Sequence, residues 1–127
     1  MAKQPVGGST PAGAYSPGMI AEGRFVYVSG QGALDGDAVA ATTVEEQTRI
    51  VVANLAAVLE STGATLADVV RCGVYLADIR DFAAMDKVYR ASFPEPLPAR
   101  TTIGVAALPI SGMLVEIDCV AVLPGSG

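Results

Sequence analysis

An arginine in the last third of the chain is the side chain best placed to bind an anion. Arg100 follows three prolines, at positions 94, 96 and 98, which hold the approach to it extended. A guanidinium on a stiff segment loses little freedom on binding. Its planar fork suits a carboxylate, and one such charge-assisted bond contributes about 1.5–3 kcal/mol. Arg100 is therefore a candidate anion-binding residue.

A glutamate further along is the candidate for proton transfer. Residues 114–123 alternate in the manner of a strand, and Glu116 shares one face with Asp118 and several aliphatic residues. A carboxylate among aliphatic side chains is poorly hydrated, which suits a group that moves protons. An edge strand with one wet face is the alternative, and it is favoured for Asp118 alone. If the last two strands form a hairpin, an ion pair from Arg100 to Glu116 or Asp118 is equally consistent with the sequence.

Histidine is absent from the chain. This excludes Ser-His-Asp and Cys-His nucleophile pairs and imidazole ligation of metals. Acid–base chemistry must then use carboxylates, tyrosine, cysteine, lysine or water. Cys72 and Cys119 lie in separate apolar runs without a CxxC pair, so we interpret them as buried free thiols. We predict no metal site.

Two loop segments are weaker candidates. Ser29 and Gly30 follow a strand, where exposed backbone N–H groups could hold a small anion. The segment lacks the Walker lysine and the GxGxxG spacing, and a plain strand-ending turn is the more general interpretation. Tyr15 lies among glycines and prolines, where a tyrosine either packs on the surface or closes a cleft.

Composition and charge restrict the class of protein. The 127 residues are 51% hydrophobic and 17% charged, which is typical of one folded domain. Thirteen acidic and eight basic residues give a net charge of −5, which argues against a nucleic-acid partner. The polar N-terminal segment and the lack of a long apolar run predict neither a secretion signal nor a membrane span. We expect a cytoplasmic protein.

Hydrophobic periodicity predicts the elements that position these side chains. The expected order is β-β-α-β-α-β-β, an α+β fold with a mixed sheet and both helices on one face. The other sheet face would need a cover, so we expect self-association. The segments are a flexible arm (1–13), a hairpin of 15–21 with 24–29 through Glu22-Gly23, helices after Thr43 and Asp78, strands at 69–77, 99–108 and 114–123, and a tail (124–127).

The order of several motifs resembles the Rid/YjgF family of reactive-intermediate deaminases. The resemblance covers residues 10–123, and the run from Phe93-Pro94 to Pro98-Ala99-Arg100 is its most specific part. The other matching motifs are Tyr15, Val28-Ser29-Gly30-Gln31, Gln47 with Asn54, Thr101-Thr102, Leu108-Pro109 and Glu116-Ile117.

The resemblance implies a chorismate-mutase-like fold in a barrel-like homotrimer with clefts between subunits. It implies hydrolysis of short 2-imino acids and 2-aminoacrylate-type enamines to 2-oxo acids and ammonia, with no cofactor. Arg100 would bind the substrate carboxylate and Glu116 would activate water. Tyr15, the Ser29-Gly30 backbone and Thr102 would line the cleft.

The sequence also departs from the family pattern. Thr102 stands where cysteine is common, and Asp86 where asparagine is frequent. Gly104 and Ala107 replace commonly charged residues, and Ala14 stands where proline usually precedes the tyrosine. A non-catalytic regulatory trimer that binds 2-oxo acids is the alternative function. Ribonuclease activity is a third, which the acidic charge and the missing histidine disfavour.

Overall fold

The computed structural model describes residues 2–125. Within them the chain forms two helices and eight strands. They are β1 (Lys3–Val6), β2 (Gly18–Ala21), β3 (Phe25–Gln31), β4 (Leu34–Asp35), β5 (Ala38–Val39), α1 (Val44–Glu60), β6 (Val69–Leu76), α2 (Phe82–Ser92), β7 (Ala99–Gly104) and β8 (Val115–Val122). The predicted order of the larger elements is confirmed.

A four-stranded mixed sheet is the centre of the fold. Its strand order is β3-β8-β6-β7. Strand β8 runs antiparallel to both of its neighbours, whereas β6 and β7 are parallel. Parallel neighbours need a crossover connection, and α2 supplies it. The predicted α+β class with a mixed sheet is therefore confirmed.

One hydrophobic core lies between this sheet and the helices. Helix α1 begins at Thr43, whose hydroxyl accepts a hydrogen bond from the Glu46 backbone N–H at 3.2 Å. A single turn of 3₁₀ helix, capped by the Asp78 carboxylate, precedes α2. The core buries alternate residues of β6 and β8 against both helices, including Val51, Leu55, Leu59, Cys72, Val74, Met85, Tyr89, Val115, Ile117 and Cys119.

The opposite face of the sheet is open and partly apolar. Tyr27 of β3 is 77% exposed and pairs with Val120, and its neighbour Phe25 is 40% exposed. Ile103 of β7 is 46% exposed. Exposed aromatic and branched side chains on one continuous face are typical of an interaction surface.

The prediction for the N-terminal segment is wrong. Residues 1–13 were expected to be a flexible arm, but Lys3–Val6 pairs with Gly18–Ala21 as an antiparallel ladder. Lys3 Nζ also donates a 2.9 Å hydrogen bond to the Val69 carbonyl. The expected hairpin of 15–21 with 24–29 is therefore wrong as well. Of the predicted tail, Pro124 and Gly125 form a turn, and Ser126 and Gly127 lie outside the described residues.

The expected hairpin of the last two strands is also wrong, because β6 lies between β7 and β8. Strand β7 ends at Gly104 rather than at residue 108. The chain leaves it through residues 105–114 and returns on the far side of β6. An ion pair from Arg100 to Glu116 or Asp118 across neighbouring strands is thereby excluded.

Cys72 and Cys119 lie directly opposite each other on β6 and β8, and both are free and buried, as predicted. Burial raises the pKa of each thiol to about 12. Because this exceeds the unfolded value of about 8.5, the buried thiols stabilise the fold fully below that pH and less as pH rises towards 12.

We expect both thiols to react with Ellman's reagent about 10³-fold more slowly in the native protein than in denaturant, at about pH 8. The physical reason is the small thiolate fraction in the folded state. The two rates are compared by absorbance on the same sample. Stoichiometric labelling of the native protein at the denatured rate would contradict this.

Candidate functional site

Arg100 of β7 points towards α2 and is held there by two oxygen atoms. Its side chain is fully buried. The Nη1 atom lies 2.8 Å from Oδ1 of Asp86 on α2 and donates a 3.3 Å hydrogen bond to the Ala14 carbonyl. The same Asp86 oxygen accepts a 2.9 Å hydrogen bond from the Ala14 backbone N–H. Asp86 thus joins the guanidinium to the segment that precedes Tyr15.

Three aromatic rings surround the guanidinium. Its Cζ atom lies 4.7 Å from the ring centroid of Tyr89, 5.1 Å from that of Tyr15 and 5.5 Å from that of Phe82. Contacts at these distances stabilise a cation that has lost its water, by roughly 2 kcal/mol for a desolvated pair. The rings also fix the plane of the guanidinium, so its remaining donors point in set directions.

Part of this site has no hydrogen-bond partner among the described residues. Arg100 Nε and Nη2, the two donors of one edge of the fork, are buried and unpaired, as is Thr102 Oγ1. Buried polar groups without partners are costly, so they indicate a missing ligand or water. Arg100 and Thr102 both border a cavity of ≈ 350 Å³, whose other lining residues are Ala12, Tyr15, Phe82 and Thr101. The arrangement is suited to a small carboxylate.

Gly13 closes this site from the N-terminal side. A Cβ atom at position 13 would lie 2.9 Å from Asp86 Oδ1, 3.0 Å from Arg100 Nη2 and 3.1 Å from Phe82 Cζ. The main chain can therefore approach the ion pair this closely only because residue 13 has no side chain.

Glu116 forms a second group with Ser29 and Gly30. Val28 pairs with Cys119 and Gln31 with Ile117, so Ser29 and Gly30 form a bulge beside β8. The Glu116 side chain lies over Gly30, where a Cβ would collide with Oε2 and come within 2.8 Å of Cδ. A half-buried carboxylate thus lies beside backbone that the sheet ladder leaves irregular.

Two amide side chains of α1 hold this region in place. Gln47 is fully buried; its Nε2 donates to the carbonyls of Ala41 and Gly112, and its Oε1 accepts from Leu114 N–H at 2.8 Å. Asn54 Nδ2 donates a 3.1 Å hydrogen bond to the Gly32 carbonyl. These bonds fix the start of β8 and the end of β3, between which Glu116 and Gly30 meet.

Arg100 and Glu116 lie on opposite faces of the sheet. Arg100, Cys72 and Cys119 form one row across β7, β6 and β8. Glu116 is three positions from Cys119 along β8, and side chains alternate along a strand, so it points the other way. One copy of the chain therefore brings Tyr15 and Thr102 to Arg100, and Ser29 and Gly30 to Glu116, without joining the two groups.

Asp118 is not on an edge strand, contrary to the favoured interpretation, because β8 lies inside the sheet. Its carboxylate accepts hydrogen bonds of 2.9 Å from Gly73 N–H and from Tyr75 Oη. The bond from Tyr75 raises the pKa of that phenol. Asp118 is therefore a satisfied structural residue of the open face.

Sequence reasoning missed the partner of Arg100. Asp86 stood out as a departure from a family pattern, but its ion pair was not predicted. The available signal was helical spacing, since Asp86 lies four residues after Phe82 and three before Tyr89, on the apolar stripe of α2. A carboxylate on such a stripe needs a buried cation.

Neither a metal site nor a membrane span is found among the described residues. Residues 2–125 contain no group of three or more His, Cys, Asp or Glu side chains arranged to bind a metal ion. In the same range, neither helix has the length and apolar character that a membrane span requires.

We expect Gly30→Ala to fold but to displace the Glu116 carboxylate, because the new Cβ takes the space of Oε2. A crystal structure of the variant measures the displacement. Gly7→Ala is the control, since nothing lies within 4 Å of a Cβ at that position. An unmoved Glu116 in Gly30→Ala would contradict the described packing.

Comparison with known proteins places this chain in a family. Residues 7–123 match the family described as Endoribonuclease L-PSP. The chain is 38% identical to the mitochondrial protein mmf2 of Schizosaccharomyces pombe, over 95% of this chain and 98% of that one. It is 38% identical to the rat 2-iminobutanoate/2-iminopropanoate deaminase, over 87% of this chain and 80% of that one.

A solved structure from Yersinia pestis, described as a protein of unknown function of the conserved Rid protein family, superposes with a TM-score of 0.80. The two sequences are 30% identical, and the match covers 97% of this chain and 100% of the Yersinia pestis chain. The chain therefore belongs to the Endoribonuclease L-PSP family, the Rid/YjgF family that its motifs resemble.

Proposed function

We propose that this protein hydrolyses short 2-imino acids, and 2-aminoacrylate-type enamines after tautomerisation, to 2-oxo acids and ammonia. The observation that carries the proposal is the unpaired Nε/Nη2 edge of Arg100, a residue that borders a small cavity. The relative from rat, named as a 2-iminobutanoate/2-iminopropanoate deaminase, supports it.

Substrate binding is the task of Arg100. The two free donors would bind a carboxylate bidentately, which replaces the missing partners of a buried cation. Thr102 Oγ1 would donate a hydrogen bond to the same carboxylate, and Tyr15 would cover the bound substrate. A cavity of ≈ 350 Å³ suits a short carbon chain.

Glu116 would supply the proton transfer. Its carboxylate takes a proton from water as the oxygen attacks the imine carbon, which gives a carbinolamine. The proton then goes to the nitrogen, the C–N bond breaks, and ammonia leaves as the C=O bond forms. The sum is imine plus water giving 2-oxo acid plus ammonia. General acid–base catalysis of this kind contributes about 10²–10⁴-fold in rate, sufficient for a reaction that already proceeds in water.

The complete site requires two copies of the chain. The Arg100 group and the Glu116 group lie on opposite faces of one sheet, so a shared guest must lie between neighbouring subunits. A homotrimer with inter-subunit clefts would meet this requirement. It would also cover the open face around Tyr27 and Ile103.

Two other functions are less well supported. A regulatory trimer would bind 2-oxo acids at Arg100 without turnover. Ribonuclease activity is suggested by the family description, but the chain has a net charge of −5 and no histidine. The compartment also stays a prediction, since the mmf2 relative is described as mitochondrial.

We expect Arg100→Lys to raise KM for 2-iminopropanoate by about 10–100-fold, because lysine keeps the charge but loses the fork. Glu116→Gln should lower kcat by about 10²–10⁴-fold with a smaller change in KM. Ammonia release from freshly generated imine measures both. Arg49→Lys and Glu60→Gln, on the exposed face of α1, are the matched controls.

Wild-type turnover no faster than the buffer rate would refute the enzymatic proposal. Calorimetric binding of 2-oxobutanoate without turnover would then favour the regulatory function.

We expect Arg100→Lys and Glu116→Gln chains, co-expressed and purified together, to recover activity that neither variant has alone. In a mixed assembly an intact arginine group meets an intact glutamate group at about a quarter of the sites. The assay compares the mixed assembly with each variant below the wild-type KM, and light scattering gives the oligomeric mass. Activity no higher than the average of the two variants would place both groups in one chain and contradict the split site.

A further inference from the structure

The ion pair of Asp86 with Arg100 affects which ligand charge the anion site prefers. Asp86 Oδ1 lies 2.8 Å from Arg100 Nη1, at the opposite end of the guanidinium from the unpaired edge. Its other oxygen, Oδ2, accepts no hydrogen bond from the residues that the structure describes. The arginine group therefore carries a buried cation that is already balanced by one full negative charge.

The Arg100 group and the Glu116 group together carry a net negative charge. Arg100 contributes one positive charge, and Asp86 and Glu116 contribute one negative charge each, so the sum is −1. A 2-oxo acid brings a carboxylate and makes the sum −2. An iminium acid or another zwitterion brings a carboxylate and a cation, and leaves the sum at −1. Like charges held a few ångströms apart in a half-buried site repel appreciably.

We infer that Asp86 is a specificity-determining residue that makes this site prefer zwitterionic 2-iminium and 2-amino acids over anionic 2-oxo acids. The inference rests on the proposed function for the contribution of Glu116 to the site. The reactant would be held as its iminium form, in which the carbon is most open to attack by water. The 2-oxo acid product, which has lost the cation, would leave readily.

Asparagine at position 86 is the sharpest test, because it removes the charge and little else. Its side-chain oxygen can still accept hydrogen bonds from Ala14 N–H and Arg100 Nη1, so the fork stays in place. The expected change is therefore in the ratio of affinities for two ligands that differ in charge.

The experiment measures Kd by calorimetry for 2-oxobutanoate, an anion, and for 2-aminobutanoate, a stable zwitterion with the same carbon chain. Asp86→Asn should shift the ratio of the two Kd values towards the oxo acid by about tenfold or more. Glu60→Gln removes one negative charge at the exposed end of α1 and should leave the ratio unchanged. Thermal melting and light scattering establish that each variant keeps its fold and assembly.

An unchanged ratio in a folded Asp86→Asn protein would overturn the inference, as would equal shifts in Asp86→Asn and Glu60→Gln. If Asp86→Asn does not fold, the two Kd values of the wild-type protein provide the test. It should bind 2-aminobutanoate at least as tightly as 2-oxobutanoate, and tighter binding of the oxo acid would overturn the inference. These are binding measurements, so a protein that binds with the expected ratio but does not turn over imine would refute only the proposed reaction.

Discussion

The burial of one guanidinium is the constraint on which the arrangement of the site depends. Arg100 has no exposed side-chain surface, and a cation taken out of water must be compensated. Asp86 provides the charge, the Ala14 carbonyl one acceptor, and three rings the surrounding surface. The Nε/Nη2 edge of the guanidinium has no partner among the described residues, so it is the edge at which a ligand would bind.

Helix α2 supplies the groups that compensate this cation, and the topology of the sheet sets its position. The crossover between the parallel strands β6 and β7 must lie on one face of the sheet, and this brings Phe82, Asp86 and Tyr89 to Arg100. Arg100, the second residue of β7, points to that face. Glu116 points to the other face because side chains alternate along β8. The division of the site between two faces is therefore a property of strand geometry and not of any single residue.

Local periodicity was sufficient to predict the helices and the larger strands, because each buries one face of its own. It could not choose partners for short strands. Gly18–Ala21 pairs with Lys3–Val6 rather than with β3, and four-residue segments carry too little pattern to specify a register. The hairpin expected for β7 and β8 failed for a related reason: adjacency in sequence is only a tendency, and β6 intervenes. The sequence identified Arg100 and Glu116 as candidates, but it did not predict Asp86 as the partner of Arg100. It also did not predict that the two groups lie on opposite faces, which depends on strand register.

The contact of Gly13 with Asp86 and Arg100 has a consequence for interpreting other members of the family. A side chain at position 13 would crowd both the Asp86 carboxylate and the Arg100 guanidinium, so this packing requires glycine there. Aligned relatives with aspartate or asparagine at the position of Asp86 should therefore keep glycine at that of Gly13, because the two side chains have nearly the same shape. That pair of positions offers a marker for recognising homologues that share this closely packed arginine site before any of them is purified.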